Sequence, residues 1–396
     1  MTKSNIRQPG DMARCSSFAT DTGCEEFFLA LRTPPDCDLA SGLKALEADY
    51  TSLLGRTGLS DETLVFSRLY VSDFVNQQER FLSSELTQRL KAGGALSIVE
   101  QKPVGGGMLS LLSYRIRTRM HHAGGSQGHY PADDLSNASV YQGKNYSLLL
   151  TANFTDNTEF DAYTQTGAIF KNLNTCIEQC GMRLFDNTIR TWIFVRDIDN
   201  HYKNMVRARR EYFTAQGLTD QTRYLASTGI EGGCQYPERI VSVDSLSIGG
   251  LQPGQIVRME ALTHLSPTIN YGVTFERGLR VRFGDRSHLY ISGTASINNK
   301  SEVMFPGDVA NQTRRTFENL RALLAAHDAT LKDMVYIILY IRNFHEWTVV
   351  QDVIREEIDA NLPIISVEAK VCRPAWLFEL EGVAIIPDRN EYPAFC

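Results

Sequence analysis

Two carboxylates stand two residues apart in an apolar run near the C-terminus, Leu377-Phe378-Glu379-Leu380-Glu381-Gly382. The run continues through Val383–Ile386 and reads as a buried strand. A carboxylate is tolerated in such a strand only where something compensates its lost hydration. Glu379, flanked by Leu377, Phe378 and Leu380, is therefore expected to be an acid held above the ordinary carboxylate range, ready to act as a general acid near neutral pH. The competing reading is a rim carboxylate fixed by a salt bridge. Other candidates carry less chemistry. Cys176 and Cys180 stand four apart on a helix with no second ligand pair, so zinc is not expected. His121, His122 and His129 lie in a glycine-rich run without cysteine or acidic partners, and no metal or cofactor is assigned.

What must position Glu379 is a repeat. The segment from Gln165, QTGAIFKNLNTCIEQCGMRLFDNTIRTWIFVRD, lies without a gap on the segment from Gln312, QTRRTFENLRALLAAHDATLKDMVYIILYIRNF. Phe317, Leu320, Leu323 and Leu324 recur at helical spacing, and Val335–Ile341 has the β-branched and aromatic content of a strand. A weaker copy, ASGLKALEADYTSLLGRTGLSDETLVFSRLYVSDF, sits nearer the N-terminus and again gives an amphipathic helix, a turn at Leu59–Asp61 and a strand. Three α/β units follow one another. Laying their last strands together puts Glu379 over Ser242 and Ser110, and Glu381 over Asp244 and Leu112. One copy of three keeps an acid at the first position. At the second an acid is shared, which makes Glu381 the structural carboxylate and Glu379 the catalytic candidate.

Composition sets the boundaries. The chain is 43% hydrophobic and 22% charged with a net charge of −6, a globular balance that lacks the basic surface nucleic-acid binding needs. No run approaches the roughly 18 apolar residues of a membrane span, and the N-terminus has no signal-peptide layout. The eight cysteines show no framework spacing and read as reduced thiols, so a cytoplasmic protein is expected. The expected divisions are an irregular arm at 1–24, a degenerate unit at 25–120, a linker at 121–138, a second unit at 139–250, a connection at 251–279 and a C-terminal unit at 280–390 carrying the active site.

The third copy resembles the Rid family (YjgF/YER057c/UK114) along residues 280–387, through HLYISGTASI, the Gln-Thr…Asn-Leu helix and LFELEGVAII. The resemblance implies chorismate-mutase-like α/β units (α+β in class) and a trimer with clefts between subunits. Three copies in one chain would form an intramolecular pseudo-trimer, so a monomer is expected, or at most a weak homo-oligomer. Rid proteins are imine deaminases that depend on an arginine in the strand before the last. Ile364 stands at that position here, which disfavours the activity.

A closer resemblance, over residues 140–387, is to the chorismatase branch. It rests on ARREYF (208–213), YGVTFERG (271–278), SGTASI (292–297) and a cysteine seven residues before the glutamate, Cys372 and Glu379, as in chorismatases that form 3-hydroxybenzoate. It implies a small dicarboxylate substrate, chorismate, whose enolpyruvyl group Glu379 protonates so that pyruvate leaves. Cys372 would help decide the fate of the ring, towards a hydroxybenzoate or a dihydroxycyclohexadiene carboxylate. The dianion needs fixed cations; Arg209 and Arg277 match chorismatase arginines by local pattern, and Arg223 is a third candidate. Ser292 and Gly293 begin the strand that lines the Rid cleft, where glycine permits close substrate approach. The alternatives are a silent Rid-like protein that binds a small carboxylate, and an imine or enamine deaminase with a relocated arginine.

Overall fold

The computed structural model describes residues 2–6, 12–118, 136–234 and 236–396. The chain folds as β1 (Thr2–Ile6), β2 (Ala13–Ala19), β3 (Cys24–Arg32), α1 (Leu39–Thr57), β4 (Leu64–Val71), α2 (Gln78–Ser83), α3 (Glu85–Gly93), β5 (Ala95–Glu100) and β6 (Leu109–Thr118). There follow β7 (Asn137–Gln142), β8 (Ser147–Phe154), α4 (Ala162–Gln179), α5 (Leu184–Asn187), β9 (Thr188–Val195), α6 (Ile198–Ala215), β10 (Ala226–Glu231) and β11 (Val241–Gly249). The last third holds β12 (Ile256–Arg258), β13 (Gly278–Arg282), β14 (Arg286–Ala295), α7 (Val309–Ala325), β15 (Met334–Ile341), α8 (Trp347–Glu357), β16 (Ile364–Glu368) and β17 (Phe378–Pro387).

Three mixed sheets result, each with the same inner order: β2-β3-β6-β4-β5, β7-β8-β11-β9-β10 and β13-β14-β17-β15-β16. In each, the closing strand lies in the middle and runs antiparallel to both neighbours, while the outer pair is parallel. A parallel pair needs a crossover, and α2 with α3, α6 and α8 supply it. The long helices α1, α4 and α7 start alike, with the side chains of Asp38, Asp161 and Asp308 accepting from the third backbone N–H beyond. Phe317, Leu320, Leu323 and Leu324 of α7 are fully buried, as their spacing requires.

The inner faces of the three sheets share one apolar core that includes Phe28, Phe66, Leu150, Trp192, Tyr290 and Tyr336. Ion pairs inside it join the sheets in turn. Arg68 of the first meets Asp244 of the second at 2.8 Å, Arg190 of the second meets Glu381 of the third, and Arg286 of the third meets Glu26 of the first at 2.6 Å. Burial pushes the Glu26 carboxyl up, but His288 and Arg286 outweigh it and hold the acid at about 2.

Three expectations are corrected. The arm expected over residues 1–24 contains β1 and β2, with Cys15 and Phe18 buried in the first sheet. The connection expected at 251–279 contributes β12, which extends the third sheet. The cysteines are not all free thiols, because Cys24 and Cys396 form a disulfide across 372 residues of sequence. The fold brings the last residue beside the start of β3, a pairing invisible to local spacing. The linker and its histidines lie, apart from residues 136–138, outside the described residues. No helix among the described residues is long and apolar enough to cross a membrane.

Candidate active site

Strand β17 sets Glu379 opposite Tyr340 of β15 and Ala295 of β14. The equivalent places are Ser242 opposite Phe194 on β11 and Ser110 opposite Tyr70 on β6. Two residues on, Glu381 is saturated by Arg190, Thr228, Trp192 Nε1 at 2.8 Å and Tyr340 OH at 3.0 Å. Asp244 is held by Arg68 and by the Asn153 N–H at 2.8 Å. Both acids are structural.

Glu379 is built differently. It is 5% exposed, yet no hydrogen bond from the described residues reaches its carboxyl. Burial first and the Glu381 charge second push it up to about 8, against the pull of Arg190 and Arg277. Gly293 makes the room: a Cβ there would lie 2.4 Å from Glu379 Oε1 and 3.1 Å from Thr228 Cγ2. The glycine anticipated as a point of close substrate approach is thus required by the acid itself.

Cys372 lies between the cores of the second and third sheets, partly buried. Burial, then the Glu379 charge, pushes its thiol up to about 12, while the Tyr202 hydroxyl, Arg373 and Arg209 pull it down. That shift favours the thiol over the thiolate at neutral pH. Arg209 is 1% exposed, with Nε 3.2 Å from Thr274 Oγ1 and Nη1 3.5 Å from Ser227 Oγ. Its neighbour Arg210 faces solvent. Arg277 donates from Nε and Nη2 to the Ser266 carbonyl at 3.1 and 2.9 Å, and its charge acts on Glu379.

Two anticipated residues serve other ends. Arg223 donates to the carbonyls of Thr188, Tyr224 and Phe185, clamping the approach to β10 onto the start of β9. Burial lowers it to about 10. The Ser292 hydroxyl donates to Glu276 O at 2.6 Å and accepts from Ser227 N at 2.9 Å, stitching the third sheet to β10. Sequence reasoning passed over Tyr202 and Arg373. Tyr202 stands seven residues before Arg209 on α6, hence on the same helical face, a spacing that could have revealed it. Arg373 follows Cys372 directly and lies 5.1 Å over the Trp376 ring. Strand β16 carries no arginine, and Ile364 lines a different cleft, between the first and third sheets. Among the described residues no cluster of His, Cys, Asp and Glu could hold a metal.

The fold thus brings together an acid pushed up to about 8, a thiol pushed up to about 12 with a tyrosine beside it, and the charges of Arg277 and Arg209 acting on the one and the other. Residues 281–386 match the family described as Endoribonuclease L-PSP. A 3-hydroxybenzoate synthase of Streptomyces hygroscopicus is 26% identical over 250 residues, covering 56% of this chain and 70% of that protein. A 2-iminobutanoate/2-iminopropanoate deaminase of Dermatophagoides farinae is 28% identical over 75 residues, 19% of this chain and 59% of its own length. Among solved structures, a chorismatase superposes with a TM-score of 0.62 at 17% identity, covering 82% of this chain and 94% of the other, which shows a common fold.

Proposed function

We propose that this chain, a chorismatase-like member of the Rid superfamily, removes pyruvate from chorismate with Glu379 as the general acid. The observation that carries the reading is a carboxyl with no hydrogen-bond partner among the described residues, held protonated near neutral pH beside arginine. Protonation of the enolpyruvyl methylene by Glu379 generates an oxocarbenium ion; attack of the adjacent ring hydroxyl oxygen on the ether carbon breaks the ether C–O bond, releases pyruvate and returns the hydroxyl proton to Glu379, and the resulting epoxide opens with loss of the proton on the former ether carbon to give 3-hydroxybenzoate. Pyruvate and 3-hydroxybenzoate together account for every atom of chorismate. The dihydroxycyclohexadiene acid requires an added water. Cys372, neutral and hydrogen-bonded by Tyr202, supports the aromatic product. Arg277 and Arg209 are the carboxylate-holding candidates, with Arg373 next to the thiol. The three sheets are read as an intramolecular pseudo-trimer, supported by their shared strand order and by ion pairs joining each to the next.

Incubation of the purified protein with chorismate, with products separated by chromatography, tests this directly. Pyruvate and 3-hydroxybenzoate are expected, with turnover falling about 10²–10⁴-fold in Glu379→Gln. Full turnover in that variant refutes the assignment of the acid. Binding without turnover, with affinity kept in Glu379→Gln, makes the chain a binding protein instead.

A further inference from the structure

The outer parallel pair of each sheet ends at the same register. Glu100 of β5 lies opposite Val71, Glu231 of β10 opposite Val195 and Glu368 of β16 opposite Ile341. Backbone bonds tie these ends into a ring that joins the three sheets. Glu100 N donates to Gly233 O at 2.7 Å and Gly233 N returns a bond to Glu100 O at 3.2 Å. Glu231 N donates to Lys370 O at 3.0 Å, and Glu368 N to Lys102 O at 2.8 Å. The residues of the ring line a depression of about 350 Å³, a volume in the range of small-molecule sites.

Four acids and four cations line it, and all but one are taken up. Glu100 accepts from Phe74 N and Val75 N, Glu368 from Phe344 N, and Asp197 from Asn200 Nδ2. Glu231 pairs with Lys370 at 3.2 Å, and Lys102 Nζ lies 4.7 Å over the Phe344 ring. Arg342, the residue after β15, donates to Val371 O at 2.8 Å and to Asp199 at 2.7 Å. Arg196 stands at the same place after β9, yet its Nε and Nη2 are buried with no hydrogen-bond partner among the described residues. The Oε1 of Gln101, a residue 3% exposed, is likewise without one, while its Nε2 is fixed on Glu231 O. Glycines make room for both: a Cβ on Gly233 would lie 2.5 Å from Arg196 Nη2, and one on Gly232 would lie 3.3 Å from Gln101 Nε2. Lysines, Lys102 and Lys370, stand at the place of Gly233 in the other two sheets, so the second sheet alone gives a guanidinium this seat. A buried polar atom left unpaired is costly, and a ligand that pairs it recovers that cost.

We propose that this depression binds a small carboxylate carrying a hydrogen-bond donor on the neighbouring carbon, as in an α-hydroxy or α-amino acid. Nε and Nη2 form the side-on edge of the Arg196 guanidinium, two parallel N–H groups that match the two oxygens of one carboxylate. Gln101 Oε1 only accepts, so it selects a hydroxyl or an ammonium beside that carboxylate. The formal charges of the lining cancel, four against four, so recognition rests on the two unpartnered groups rather than on a general field. The assignment is independent of the reaction at Glu379, because the lining includes neither that acid nor Cys372, Arg209 or Arg277.

Saturation-transfer NMR on the whole protein tests this with three probes of similar size: glycolate, glycine and acetate. Glycolate, glycine or both should bind saturably, about tenfold or more tighter than acetate, which lacks the donor. The tighter of the two identifies the donor as hydroxyl or ammonium. Gln101→Met should erase that margin, and Arg196→Gln should weaken every probe by about tenfold or more. Gly233→Ala should do the same with the charge still present, because the new Cβ takes the guanidinium's seat. Arg277→Gln should leave binding unchanged. Thermal melting of each variant separates lost binding from lost folding. No saturable signal from glycolate or glycine, or acetate binding as tightly as both, overturns the proposal. So does a signal that survives Arg196→Gln or Gly233→Ala in folded protein and vanishes in Arg277→Gln, which would place the probe beside Glu379 instead.

Discussion

Replacing Glu379 with Gln should change the pH dependence of stability, and the structure sets the size of the change. Glu379 sits at about 8 in the fold against an ordinary value of 4.5. The fold therefore favours its neutral form. That advantage is complete below the unfolded value and is lost as pH rises through the folded one. Linkage puts the cost to the wild type at about 1 kcal/mol near pH 5, about 3 near pH 7 and about 5 near pH 9. Gln has the same shape and does not titrate, so its stability should lack this component. Urea denaturation of both proteins at those three pH values measures it: the variant should gain on the wild type by about 4 kcal/mol between the first and the last. Curves that stay parallel would show that Glu379 ionises freely in the fold, and the general-acid reading would fall with its buried acid. The same ionisation should make wild-type turnover decline above about pH 8.

Two further changes act on the same framework. Gly293→Ala should cut turnover at least tenfold by displacing a carboxyl whose oxygen would lie 2.4 Å from the new Cβ; in a Glu379→Ser background it should cost far less stability, a coupling that a double-mutant cycle reads. Asp244→Asn should destabilise by about 3–5 kcal/mol, because it strands the fully buried Arg68 guanidinium, and urea denaturation near neutral pH measures the loss.

Much of the fold was legible because helix and strand periods recur with the same caps and turns. The stripe Phe317, Leu320, Leu323, Leu324 and the strand Val335–Ile341 read directly as buried elements. Glu379 stood out because the repeat offered two internal controls, Ser242 and Ser110, at its place. The first residues were misread because Ala13-Arg14-Cys15-Ser16-Ser17-Phe18 is covered on both faces and shows no alternation. An arginine's type says nothing of where its guanidinium ends. Arg209 reaches the neighbourhood of Cys372, whereas Arg223, equally plausible by composition, is taken up by three carbonyls. Contacts that join distant parts of the chain, such as Cys24–Cys396, leave no local trace.

Glu379 and Glu381 show how one strand places two acids in opposite surroundings. Both are buried, on one face, two residues apart. Glu381 receives an arginine, a threonine, an indole and a phenol, and this closes the link between the second and third sheets. Once that charge is fixed and compensated, the remaining acid beside it experiences a negative neighbour together with the loss of water. Both effects favour its proton. The structural ion pair therefore contributes to the chemistry indirectly: neutralising Glu381, as in Glu381→Gln, removes the repulsion and should draw Glu379 down. The pH at which turnover falls would move to lower values in that variant, even where the fold survives. A profile that stays in place would mean that burial alone sets the acid, and the coupling between framework and site would be refuted.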